Sequence, residues 1–163
     1  MIGVFDSSPI IFLVKLDLLD EVLSLFSKSY IPQLVVKEIK TKRDKANVVV
    51  SRLLRDKKLI EAKGHNQRLF SALTEKLGKG EAESILIAIE NDDVDLVILD
   101  DNVARKTALD FKLRVKGTLG LIKGLYDIHR LSHDVDELYK NLVEIDFRVR
   151  KEIFKEIFKD HVK

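Results

Sequence analysis

At four places in this 163-residue chain a carboxylate stands where chemistry, more than folding, would put one. Asp6 ends the apolar run of Ile2, Val4 and Phe5 in "MIGVFDSSP". Asp100 and Asp101 end a second apolar run in "VDLVILDD". Glu38 follows Val35 and Val36 in "VVKEI", and Glu81 follows Gly80 in "GKGEAESILIA". Three of the four places have a plain explanation alone. Glu81 could be a charge favoured at a helix N-terminus, Glu38 a solvated helix residue, and Asp101 the cap of the helix "NVARKTALDF". Asp6 resists such an explanation, because aspartate is depleted in strands and Ser7 and Ser8 already offer capping oxygens. Taken together the four places point to one site. A carboxylate cluster without cysteine, and without histidine spacing, suits a hard cation held by oxygen, Mg²⁺ or Mn²⁺. Bare, the acids would repel one another, and a divalent ion resolves that repulsion. It can also polarise a phosphate, which is the chemistry of metal-assisted phosphodiester hydrolysis.

Rigid elements must deliver these acids. Ile2 to Phe5 reads as a first buried strand. A helix follows, started by Pro9 and capped by Ser7 or Ser8. Asp17 opens a second helix, "DLLDEVLSLF", and "SYIP" is a short strand stopped by Pro32. "QLVVKEIKTK" is a helix turning Leu34, Val35 and Ile39 inward, "DKANVVVSRLLRD" another, and "KLIEAK" a short edge strand. "QRLFSALTEKL" is helical and ends at Gly78 as its C-cap. A helix from Glu81 buries Ile85, Leu86 and Ile89, and "VDLVILDD" is the clearest interior strand. "NVARKTALDF" is a helix, "RVKG" a short strand and "TLGLIKGLYDI" a helix. Two amphipathic helices, "DVDELYKNLVEI" and "FRVRKEIFKEIFKDHV", close the chain. Strands alternating with helices imply an α/β protein: a three-layer α/β/α sandwich around a mostly parallel sheet. In such sheets sites form beyond the carboxyl ends of the strands, where two of these runs end in acid. No linker or repeat divides residues 1–163, which read as one domain.

Composition narrows the class. Hydrophobic residues make up 45% of the chain, a globular value, and Lys+Arg 29 against Asp+Glu 27 gives a dense but nearly balanced charge. No apolar run approaches the roughly 18–20 residues of a membrane span, and the N-terminus reads as a strand, not a secretory leader. The absence of cysteine excludes disulfides and thiolate metal sites and suits the cytoplasm.

The ordered set "VFDSSPII", "VVKEI", "LGKGEAESILIA", "LVILDDNVAR" and "VKGTLGLI", from about residue 2 to about residue 125, resembles the PIN-domain nucleases. Within them it looks most like the VapC-like toxin branch of prokaryotic toxin–antitoxin pairs, in a GEAE-type subfamily. The resemblance implies a PIN-like fold and a Mg²⁺- or Mn²⁺-dependent endoribonuclease acting on RNA. It implies catalytic acids at Asp6, Glu38, Glu81 and Asp101, with metal held by Asp6, Glu81, Asp100 and Asp101; which aspartate of the pair faces the metal is open. It also places Ser7 beside the first acid and Thr118 at the pocket rim. An antitoxin protein and a homodimer are the implied partners, and the product would carry a 5′-phosphate.

Other features have competing readings. Arg105 could touch the scissile phosphate, and is expected to pair with Asp101. The basic runs "KEIKTKR", "RDKK" and "RVK" read as solvated faces, and no interleaved aromatics mark a base-stacking platform. His65, His129, His133 and His161 share no spacing and are assigned to solvent or helix ends. In the C-terminal helices, about residues 134–163, Val149, Ile153 and Ile157 form one line, and Phe154 and Phe158 another. Packing on the domain's own core is expected, with a dimer or antitoxin groove as the alternative. Two further function classes stand beside the nuclease. One is a catalytically degenerate RNA- or protein-binding module. The other is a haloacid-dehalogenase-like phosphatase, disfavoured because Ser8 stands where a second aspartate is required.

Overall fold

The computed structural model describes residues 1–131 and 134–161, so His133 lies outside the described residues. The elements in order are β1 (Ile2–Phe5), α1 (Ser7–Lys15), α2 (Leu19–Leu23), β2 (Lys28–Pro32), α3 (Gln33–Thr41), α4 (Lys45–Arg55), β3 (Ile60–Ala62), α5 (Gln67–Thr74), α6 (Lys79–Glu90), β4 (Leu96–Ile98), α7 (Asn102–Asp110), β5 (Val115–Lys116), α8 (Thr118–Asp127), α9 (Val135–Glu144) and α10 (Lys151–Ile157), with a final 3-10 turn at Lys159–His161. The expected three-layer α/β/α sandwich is the fold. Its sheet runs β3-β2-β1-β4-β5 with every pairing parallel.

Residue alternation along β4 shows why the sheet must be covered twice. Leu96 and Ile98 join a core that includes Phe5, Ile31 and residues of α1, α3, α4 and α8. Val97 and Leu99 join a second core with Leu73, Ile85, Leu86, Ala104 and Ala108 from α5, α6 and α7. Successive side chains of a strand point to opposite faces, so a strand apolar throughout needs helices on both sides. Gly3 is required in β1 by close packing: a Cβ there would lie 2.7 Å from the Phe26 ring, which also meets Phe5 edge-on at 5.1 Å.

Chain order places the functional end. From β1 the sheet grows one way to β2 and β3; the chain then crosses back and continues on the other side of β1 with β4 and β5. Strand order therefore reverses between β1 and β4, the switch point beside which α/β sheets leave a crevice. Phe5 pairs with Ile98, and the Asp6 N–H donates to the Ile98 carbonyl at 3.2 Å, so both strands end at the same level. Among the described residues no helix is long and apolar enough to cross a membrane.

Several local expectations are corrected. Helix α1 starts at Ser7, with Asp6 in the N-cap position, so neither serine caps it. Proline is tolerated at Pro9 because first-turn N–H groups lack intrahelical partners anyway. Asp17 does not open α2; it takes φ 57 and ends α1, with its N–H on Val14 O and the Leu18 N–H on Leu13 O. The same arrangement, a non-glycine residue in the left-handed region followed by a 6→1 bond, recurs at Lys57, Lys112, His129 and Asp146. Gly78 is not a C-cap: α5 ends at Thr74, and Gly78, at φ −63, is the N-cap of α6. Leu34 is half-buried, and Val36 is buried in its place. The last helix is shorter than its pattern. Residues 147–150 form no helix, and α10 begins at Lys151. Phe154 and Phe158 are buried as expected, with ring contacts to Tyr139 and Tyr126. Ile153 is 44% exposed.

Candidate active site

Asp6 sits at the end of β1, only 3% exposed, and its Oδ1 is a buried oxygen with no hydrogen-bond partner among the described residues. Such an atom is costly: an unsatisfied buried polar group loses about 1–3 kcal/mol, and more when charged. Burial is the main cause that pushes the Asp6 carboxyl from 3.8 up to about 7; the charges of Glu81, Glu38 and Asp100 push the same way, against the Ser7 N–H. Three elements close on this oxygen. The N-terminus of α6 approaches so tightly that a Cβ on Gly80 would stand 3.3 Å from Asp6 Oδ1, 3.6 Å from Glu38 Oε2 and 3.0 Å from Val35. Glycine is needed here for close approach, since its φ is not in the left-handed region. Glu38 itself is exposed, on the outer side of α3.

Glu81 and Asp101 each serve a helix as well as the cluster. Glu81 Oε2 accepts the Gly78 N–H at 3.0 Å, and its pKa is raised, first by burial and then by the charges of Asp101 and Glu38. Asp101 caps α7: its Oδ1 accepts the N–H groups of Val103 and Ala104 at 2.8 and 2.9 Å. The neighbouring Asp100 is held differently. Its Oδ1 accepts the Thr118 N–H at 2.7 Å and its Oδ2 the Thr118 hydroxyl at 2.6 Å. Burial raises its pKa, and the Thr118 donors and the Arg105 charge oppose that rise.

Thr118, expected at a rim, is instead fully buried beneath Asp100. Ser7 is buried at the first turn of α1 beside Asp6. Arg105 does not pair with Asp101. Among the described residues it forms no salt bridge, and it bears on Asp100, whose Oδ1 and the Arg105 Nη1 would lie 2.9 and 3.3 Å from a Cβ on Gly117. The fold therefore brings Glu38, Glu81 and Asp100 near enough for their charges to act on Asp6, with Asp101 acting on Glu81.

A divalent cation is tested by this arrangement. The donors are all hard oxygens, one of them buried and without a partner among the described residues; burial raises the pKa of Asp6, Glu81 and Asp100, and neighbouring acids add to the rise at Asp6 and Glu81. A cation would satisfy the free oxygen and reverse both effects, so the residue set fits one. Among the described residues, no group of three or more His, Cys, Asp or Glu side chains stands in positions that could hold a metal ion.

Of the acids, Glu81, Asp100 and Asp101 line a cleft of about 820 Å³, which Arg105, Lys116, Arg148 and Arg150 also line; Asp6 and Glu38 do not line it. No described histidine lines it: His65 lies against Glu90, His161 against Asp127, and His129 ends α8. Sequence reasoning missed three contributors. Gly117 lets Asp100 approach the chain, as above. Glu83, 4% exposed, accepts the Leu34 N–H at 2.7 Å and so ties α6 to the start of the helix that carries Glu38. Its signal was the helical angle, about 200° around α6 from Glu81, at two residues of about 100° each. The 147–150 segment, far along the chain, carried none.

A parallel α/β/α protein with carboxylates gathered at its switch point is the class that this fold and site define. Residues 2–163 match the model of a family described as PIN domain, and the chain belongs to that family. PIN domains are generally nucleases that act on nucleic acids and use divalent metal ions. No curated protein matches the chain.

Proposed function

We propose that the chain is a Mg²⁺- or Mn²⁺-dependent endoribonuclease working at the β1–β4 crevice. The observation that carries the reading is the free, buried Oδ1 of Asp6 amid Glu38, Glu81 and Asp100. Asp6 and Asp100 would hold the ion, with Glu81 and Glu38 completing its surroundings from α6 and α3. When bound, the ion supplies charge neutralisation and polarisation of the phosphodiester. Thr118 fixes the orientation of Asp100 through both of its oxygens. Glu81 keeps one oxygen on Gly78 and uses the other to orient the attacking water and take its proton. Its raised pKa makes it the better acceptor. Arg105, unpaired and close to Asp100, faces the charge that develops on the phosphate. Attack by water breaks the P–O3′ bond, leaving a 5′-phosphate and a 3′-hydroxyl.

The motif order supports a finer role, the toxin of a toxin–antitoxin pair in the VapC-like branch, acting in the cytoplasm as a homodimer. Growth arrest on expression, relieved by an adjacent small reading frame, tests the pairing. Light scattering at twice 18.7 kDa tests the dimer. For the chemistry, purified protein cleaves a defined RNA panel with Mn²⁺, and Asp6→Asn abolishes cleavage. Equal cleavage by both proteins sinks the assignment.

A second reading, a binding module without catalysis, is favoured by one observation: Glu81 and Asp101 are both engaged as helix N-terminal acceptors. It expects no stabilisation of the folded chain by Mg²⁺ or Mn²⁺, whereas the nuclease reading expects a rise in Tm.

A further inference from the structure

The cationic side of the cleft comes largely from one short segment. After α9 the chain turns at Asp146 in the left-handed region. The Asp146 N–H donates to Val143 O at 3.1 Å and the Phe147 N–H to Leu142 O at 2.9 Å, fixing where the segment starts. Along Phe147-Arg148-Val149-Arg150 burial alternates: the two apolar residues are half-buried and the two arginines exposed. That is the period of an extended segment with one face anchored and one free. The anchor is Phe147, edge-on to Phe12 of α1 at 4.7 Å. Since α1 also begins at Asp6, a single helix sets the position of both the segment and the buried acid.

Arg148 and Arg150 form no salt bridge among the described residues, nor do Arg105 and Lys116, although acids line the same cleft. In the other basic region most cations are paired: Lys45 with Asp17, Arg52 and Lys58 with Asp20, and Arg55 with Asp56, while Arg43 beside them forms no salt bridge among the described residues. Cations without an ion pair, lining the same cleft as Glu81, Asp100 and Asp101, match a polyanion whose phosphates the cations bind while the acids address it through a metal ion. A volume of about 820 Å³ is within the usual range for one small ligand, the scale of a short stretch of a single strand.

We propose that residues 147–150 are a strap that positions single-stranded RNA, with Arg148 and Arg150 binding phosphates beside the one that is cut. This rests on the nuclease reading. The two are tested separately, on the full chain, by fluorescence anisotropy of a labelled single-stranded RNA in EDTA at about 50 to 200 mM salt. The Arg148→Ala/Arg150→Ala variant is expected to reduce the slope of log K against log salt by about 1.4, at about 0.7 per phosphate contact on a single strand. Arg148→Lys/Arg150→Lys restores the slope, and Arg43→Ala/Arg55→Ala, on the other basic region, leaves it unchanged. In Mn²⁺ cleavage assays the alanine pair raises KM about tenfold (about 1.4 kcal/mol) with little change in kcat, as expected for residues that bind and do not react. An unchanged slope in the alanine pair, beside a wild type that binds, overturns the strap; so does an equal loss in the Arg43/Arg55 control. A wild type that neither binds nor cleaves RNA overturns the nuclease reading itself.

Discussion

Replacing Asp6 by asparagine should make the folded chain more stable at alkaline pH while removing its proposed activity. The carboxyl moves from 3.8 to about 7 on folding, a change of about three units. At about 1.4 kcal/mol per unit this is about 4 kcal/mol, an upper value because a local rearrangement would relieve part of it. The direction follows from proton counting. Between those two pH values the folded chain holds a proton on Asp6 that the unfolded chain has released. Stability is therefore greatest below about pH 4, falls as pH rises through the window, and is flat above about pH 7. Asparagine is neutral throughout, so this part of the pH dependence vanishes.

Urea unfolding followed by far-UV circular dichroism suits a chain with no tryptophan. Run in EDTA at several pH values, it should show the two proteins within about 1 kcal/mol near pH 4 and separated by about 2–4 kcal/mol near pH 8. Mg²⁺ or Mn²⁺ at about a hundredfold excess over Kd should then return about 2.7 kcal/mol to the wild type and much less to the variant. Parallel pH profiles would refute the argument, because they would mean that the Asp6 carboxylate ionises without penalty in the folded protein.

Two further substitutions probe the scaffold. Gly117→Ala places a Cβ 2.9 Å from Asp100 Oδ1. Displacing that carboxylate from Thr118 should cost about 2 kcal/mol in urea unfolding, the range of a hydrogen bond to a charged group, and shrink the Tm rise given by Mn²⁺; an unshifted Tm response would show that Asp100 had not moved. Lys112→Gly relieves a left-handed residue at φ 60 at an exposed helix end. Left-handed strain of about 1–2 kcal/mol, set against the greater unfolded-state freedom of glycine, predicts a net gain of about 0.5 kcal/mol, measured as a higher urea midpoint.

The alternation of strands and helices was legible because β1 and β4 are short and apolar, and because Asp6 at the end of β1 had no folding reason to be there. Helix ends were less legible. Reading glycine as the stop signal misplaced the end of α5 at Gly78, and the α1–α2 junction was misread at Asp17. In this chain left-handed caps fall on Asp, Lys and His, and no glycine has positive φ. The strain at such a cap can be offset by a hydrophobic residue just beyond it, as Leu18, Leu113 and Phe147 are at three of the five among the described residues. The strap was illegible for another reason. "FRVRKEIFKEIF" has helical periodicity throughout, yet the turn at Asp146 and the Phe12–Phe147 contact hold its first residues off the helix. Phe12 lies 135 residues away in sequence (147 − 12), and no local pattern encodes that contact.

The pair Asp100–Asp101 shows how two adjacent and identical side chains acquire different tasks. Chain direction separates them. Leu99 still belongs to the sheet, with its N–H on Lys116 O, and Asp100 therefore emerges beside β5 and the start of α8, where Thr118 offers two donors. One residue later the chain enters α7, and Asp101 meets that helix's free N–H groups instead. Asp100 then adds its charge to Asp6, and Asp101 adds its own to Glu81. Both arrangements depend on backbone N–H donors fixed by helix starts. The acids are thus held at their separations by elements that form whether or not a cation is present. Under the proposed function, a cation held by Asp6 and Asp100 would therefore meet two carboxylates whose backbone is already fixed by strand ends and helix starts.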